Sequence, residues 1–63
     1  MQRYIYDGPV TKFGNCIDER WKGSTYARTE KEAKRNLIYH CKVDHNLLPT
    51  AQIALPGKIM TAN

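Results

Sequence analysis

Seven basic residues, Arg20, Lys22, Arg28, Lys31, Lys34, Arg35 and Lys42, fall between positions 20 and 42 against only two acidic ones, Glu30 and Glu32, so that span carries a net charge of +5. Elsewhere Arg3, Lys12 and Lys58 stand against Asp7, Asp18, Glu19 and Asp44, leaving the rest of the chain at −1. Several lysines and arginines on one rigid surface neutralise phosphates and release their counterions, which gives nucleic-acid binding with little sequence preference. The same residues also suit a solvated helix face, on which Glu30 and Lys34 have the i, i+4 spacing of a stabilising pair. The overall charge of +4 and the isoelectric point near 9.3 bear on partners rather than on fold.

Other constellations are weaker. Cys16, His40, Cys41 and His45 could in principle ligate zinc, but no C-x-x-C or H-x-x-x-H unit exists, and His40 and His45 point to different faces of one helix. No metal or other cofactor is therefore expected, and Cys41 reads as a small core residue. Asp18 and Glu19 are adjacent in a strand and point to opposite faces, so they form no acid–base pair. With no second polar group to converge on a lone Cys or Ser, and little concavity in so small a fold, the chain reads as non-enzymatic. Aromatics interleaved with cations in RYIY and RWKGSTYAR could stack bases on an open sheet face, although a small domain would bury Trp21 and several tyrosines first.

The elements that must position these residues follow from local patterning. RYIYDGPV alternates β-favouring residues up to Gly8-Pro9 and reads as a first strand. TKFGN supplies a turn, with Gly14 and Asn15 suited to positive φ, and a second strand through CIDERW starts near Asn15. Gly23-Ser24 leaves two possibilities: TYAR is a short third strand, or it is the end of one long strand bulged at Gly23. Thr29-x-x-Glu32 is a capping box, so a helix begins at Glu30 and stops near His45-Asn46. On the helical wheel Ala33, Leu37 and Cys41 form the core face, with Tyr39 and Val43 on its flank. Lys31, Lys34, Arg35 and Lys42 lie opposite, interrupted by Ile38 and continued by His45. AQIAL is a last strand, and KIM continues it after a kink at Pro56-Gly57.

The expected fold is α+β, one domain over residues 1–63, with a small antiparallel sheet of about three strands and one helix packed on one face, in the order β-β-(β)-α-β. The inward set is Tyr4 or Ile5, Ile17, Trp21, Ala33, Leu37, Ile53 and Leu55. No apolar run approaches a membrane span, and MQRYIYDGPV lacks the continuous apolar stretch of a signal peptide, so the expected location is cytoplasmic and the two cysteines are expected as thiols.

Two resemblances add to this reading. Gly8-Pro9-Val10, Trp21, Thr25-x-Ala27-x-Thr29, Ala33-x-x-Asn36-Leu37-x-Tyr39 and Leu55-Pro56-Gly57-Lys58 resemble a group of short, uncharacterised proteins of phages and integrated mobile elements of Gram-positive bacteria. That likeness spans nearly the whole chain and implies an origin in such an element, with no mechanism attached. Tyr4, Gly8-Pro9, Phe13 and TEKEAKRNL, in that order, are similar to the second half of double-stranded RNA-binding domains. This second likeness would put Lys31, Lys34 and Arg35 in the phosphate-contacting role. It departs from those domains in lacking the leading helix, in placing Glu30 and Glu32 where lysines would stand, and in having a strand after the helix.

The resulting expectation is a small accessory protein that binds nucleic acid through Lys31, Lys34, Arg35 and Lys42, with Arg28 and Lys22 at the margin, as a monomer or homodimer. The alternative is a protein-interaction module, an adaptor or inhibitor docking on a host or phage protein through a strand edge or an apolar spot at Ile38 and Tyr39.

Overall fold

The computed structural model describes residues 1–62, with β1 over Gln2–Lys12, β2 over Asn15–Ala27, α1 over Glu30–Asp44, β3 over Ile53–Ala54 and β4 over Ile59–Ala62. The α+β class holds: one helix packs against an open antiparallel sheet of four strands. β1 is central. It pairs along its whole length with β2 on one side, and on the other with β3 at Thr11–Lys12 and with β4 at Arg3–Tyr6. The last strand is thus split in two by the Pro56-Gly57 kink, where a proline cannot donate to a ladder. Gly8-Pro9 does not end β1, which runs on to Lys12.

The β1–β2 hairpin turns on Phe13 and Gly14, both at positive φ (52° and 80°), while Asn15 already pairs with Lys12. Positive φ at both central residues is the two-residue geometry that matches strand twist. The turn therefore sits one residue earlier than the Gly14-Asn15 expectation, at the expense of a left-handed phenylalanine.

β2 is one continuous strand, so TYAR is its end rather than a third strand. Gly23 pairs with Tyr6 in regular register and is not a bulge. Its lack of a side chain serves Trp21: a Cβ at Gly23 would stand 2.3 Å from the indole, which lies across it. The irregularities come instead between Trp21 and Asp18 and between Asp18 and Cys16, where β2 spends extra residues against β1. Asp18 supplies the local reason, because its Oδ1 accepts from the Arg20 amide at 3.0 Å and its carbonyl accepts from the Cys16 thiol at 3.2 Å.

Extra residues reverse side-chain parity. Asp18, paired with Val10, lies on the helix side, and Ile17, expected in the core, is 40% exposed. The core is built instead from Tyr6, Val10, Trp21, Leu37, Cys41 and Leu55, with Tyr4, Ala27 and Ala33 in a smaller cluster beside it. Tyr4 rather than Ile5 faces inward, and Ile53 is half-buried against the main cluster. The Tyr6 hydroxyl donates to the Pro9 carbonyl at 2.6 Å and accepts from the Gly57 amide at 3.0 Å, so one buried phenol ties both proline-containing bends together.

Helix α1 begins as its sequence dictates. The Thr29 hydroxyl accepts from the Glu32 amide at 3.1 Å, a cap worth about 1 kcal/mol, and Glu30 and Glu32 complement the positive end of the helix dipole. At the other end Asn46 adopts a left-handed φ of 55°, and the amides of His45, Asn46 and Leu47 satisfy the carbonyls of Cys41, Val43 and Lys42. Ala33, Leu37 and Cys41 are buried, as their spacing requires.

Candidate nucleic-acid interface

Because Ala33, Leu37 and Cys41 fix one side of α1 against the sheet, the helical period leaves Lys31, Lys34, Arg35 and Lys42 on another. These four line one shallow groove with Ile38 and Tyr39, of about 400 Å³. Such a volume is that of a small-ligand site, but every lining side chain comes from a single helix, so the feature is an open strip and not a cleft. From Lys31 to Lys42 it runs roughly 16 Å along the axis at 1.5 Å per residue.

Lys31, Lys34 and Arg35 are exposed, and none takes part in an ion pair; the two pairs among the described residues are Asp7–Arg20 and Asp18–His45. The expected Glu30–Lys34 pair is therefore not closed. Lys42 is half-buried and donates to the Pro49 carbonyl at 2.9 Å, which ties the end of the strip to the following loop. Ile38 is no exposed apolar spot: it is half-buried against the core cluster and forms the floor of the strip. Tyr39, expected on the core flank, lies instead roughly 160° around the wheel from the centre of the Ala33, Leu37 and Cys41 stripe. It is 61% exposed, and its ring meets the His40 ring edge-on at 6.2 Å. An aromatic ring beside three unpaired cations is the residue that charge counting alone overlooks.

No family model, curated protein or solved structure matches this chain.

Arg28 and Lys22 divide. Arg28 is exposed immediately before the Thr29 cap and does not line the groove. Lys22 pairs with Asp7 in the register, and alternation puts both on the face of the sheet opposite that of Trp21 and α1. Lys22 is therefore not at the margin of the helix strip. Arg20, counted in the same basic span, is bound to Asp7 through Nε at 2.7 Å and Nη2 at 2.9 Å. This bidentate contact holds the Asp7 carboxyl below its ordinary range and raises the guanidinium.

His45, expected to continue the cationic face, turns inward. Its Nδ1 lies 2.9 Å from the Cys41 carbonyl and 3.4 Å from the Cys41 sulfur, and its Nε2 lies 2.9 Å from Asp18 Oδ2. A Cys–His–Asp chain of this kind resembles a nucleophile relay, but Cys41 is fully buried. Burial, together with Asp44 and Asp18, pushes its thiol up to about 11, so it lacks the thiolate that such chemistry uses. The imidazole is instead a doubly donating clamp. The Cys41 carbonyl and then Asp18 raise its pKa, while the Arg20 amide and then His45 lower that of Asp18. Cys16 is an exposed free thiol and His40 an exposed surface ring, so the four candidate zinc ligands do not converge. Among the described residues no three His, Cys, Asp or Glu side chains group as a metal site. No described helix is long and apolar enough to cross a membrane.

Proposed function

We propose that the protein is a small, non-enzymatic nucleic-acid-binding accessory protein of a phage or mobile element, acting in the cytoplasm through the outer strip of α1. The observation that carries this reading is the convergence of Lys31, Lys34 and Arg35, exposed and unpaired, with Tyr39 in one strip. Lys42 adds charge at its far end, and Arg28 stands exposed just before the helix cap. Three or four phosphate contacts predict a slope of log affinity against log salt of about −3 to −4 on duplex DNA, with weak sequence preference. The test is titration of labelled duplex DNA and duplex RNA at two salt concentrations with wild type and with Lys31→Glu/Lys34→Glu/Arg35→Glu. Binding by the wild type and its loss in the triple variant support the reading; equal affinity of the two proteins rejects it.

A second reading, a protein-interaction module, is favoured by Phe13. This residue is 76% exposed and holds a left-handed conformation that a bulky side chain disfavours. An apolar ring retained at a strained hairpin tip suits an anchor for a partner protein. Capture of one stoichiometric partner from host lysate that survives nuclease treatment and is lost in Phe13→Asn would favour this reading over the first.

A further inference from the structure

We propose that the open face of the sheet, opposite α1, binds single-stranded nucleic acid, with Tyr26 stacking a base, Arg3 holding the adjoining phosphate and Lys22 meeting the strand two rows further along. This goes beyond the helix strip, since it concerns the other side of the molecule and does not depend on it.

The face is defined by register. Trp21, Tyr4 and Tyr6 point to the helix side, so alternation sends Arg3 and Ile5 of β1, and Lys22, Ser24 and Tyr26 of β2, the other way. β4 adds Met60 opposite Ile5 and Ala62 opposite Arg3. Two cross-strand rows result, Tyr26–Arg3–Ala62 and Ser24–Ile5–Met60, with Lys22 one step further along β2. The single helix lies on the opposite face, and Tyr26 is 64% exposed. A row repeats every two residues, roughly 7 Å along a strand, close to the reach of one extended nucleotide.

Chemistry selects the occupant. An exposed phenol in register with an arginine, next to an apolar row, offers a stacking surface flanked by positive charge, the arrangement that single strands use without sequence readout. The carboxylate that the register sets on this face, Asp7, is held by Arg20 and also feels its cross-strand neighbour Lys22, so the four side chains Arg3, Asp7, Arg20 and Lys22 together leave a net positive charge for a ligand to meet. A duplex has its bases stacked already and cannot present one to Tyr26. The helix strip, in contrast, takes phosphates from either form.

The test compares short fluorescein-labelled oligothymidylate and oligouridylate with a labelled DNA duplex, using wild type, Tyr26→Ala, Tyr26→Phe and the helix triple variant. Tyr26 is exposed, so its truncation leaves the core intact, and far-UV circular dichroism confirms this for each variant. Expected is a loss of about 5- to 100-fold in single-strand affinity for Tyr26→Ala, retention in Tyr26→Phe, and unchanged duplex affinity in both. The two oligonucleotides show whether the strand is DNA or RNA. Single-strand affinity that is absent in the wild type, unaltered in Tyr26→Ala, or lost equally in Tyr26→Phe overturns the proposal. So does a Tyr26-dependent homodimer, seen by sedimentation, that covers the face. If only the helix triple variant loses binding, the helix reading stands and this one falls; if only Tyr26→Ala loses single-strand binding, the reverse holds.

Discussion

His45 Nε2 lies 2.9 Å from Asp18 Oδ2, across 27 residues of sequence, and joins the last turn of α1 to the bulged part of β2. Around this contact stand Asp18 from β2 and Cys41 and Asp44 from α1, and Asp44 in turn accepts from the Trp21 indole at 3.1 Å. The protonated imidazole donates to both the Asp18 carboxylate and the Cys41 carbonyl, and it sits where the helix dipole favours a positive charge.

The sign of the pH dependence follows from the two shifts. His45 is raised from 6.5, so its stabilisation is complete below about 6.5 and is lost as pH rises through its folded pKa. Asp18 is lowered from 3.8, so its contribution is present above about 3.8 and is lost as pH falls through its folded value. The clamp thus works best between those limits. Urea midpoints of the wild type should decline on going from mildly acidic to mildly alkaline pH, and His45→Gln should flatten that decline. A His45→Gln profile parallel to wild type would remove the clamp from consideration.

Gly23→Ala should destabilise by about 1–3 kcal/mol, as overpacking does. In most strands the same change is favourable, since alanine lowers the entropy of the unfolded chain. Here the added methyl meets the Trp21 indole at 2.3–2.8 Å, and moving the ring pulls its N–H away from Asp44. Denaturation monitored by Trp21 fluorescence reads both the stability and the altered indole environment; a stabilised variant would contradict this packing.

Tyr6→Phe should cost about 1–3 kcal/mol, because it leaves the Gly57 amide and the Pro9 carbonyl without their buried partner. Amide exchange at Gly57 should accelerate more than at the β1–β2 ladder. Uniform acceleration would mean that the phenol does not tie the two bends in particular.

Phe13→Asn should stabilise by about 1 kcal/mol, since asparagine before glycine tolerates the left-handed turn that phenylalanine resists. Thermal melts of the two proteins measure it, and an unchanged or lower midpoint would show that the Phe13 ring contributes to the fold.

The two cysteines should differ in reactivity. Exposed Cys16 should react promptly with a thiol reagent in the native protein, and Cys41, buried and with its thiol pushed up to about 11, only on unfolding. Mass spectrometry after brief alkylation distinguishes one adduct from two; rapid native modification of Cys41 would reopen the nucleophile reading.

What the chain determines by itself is what short-range periodicity controls. The Thr29 cap, the Asn46 stop, the buried stripe of Ala33, Leu37 and Cys41 and the opposite cations all follow from 3.6 residues per turn and from hydrogen bonds within a few residues. The strip of Lys31, Lys34 and Arg35 was legible for that reason, and so was its Tyr39, which at 100° per residue falls roughly 160° from the centre of the buried stripe and not on its flank. Tertiary structure decided the strands. The face that a strand residue occupies depends on register with a neighbour, and one extra residue reverses every side chain beyond it. The bulges around Asp18 therefore turn Ile17 to water and Asp18 toward His45, and the pairing of Lys22 with Asp7 carries that lysine to the far side of the sheet. Gly23 reads as a break until Trp21 lies across it, and the packing of an indole over bare backbone on the same strand face shows only once that face has something to pack against.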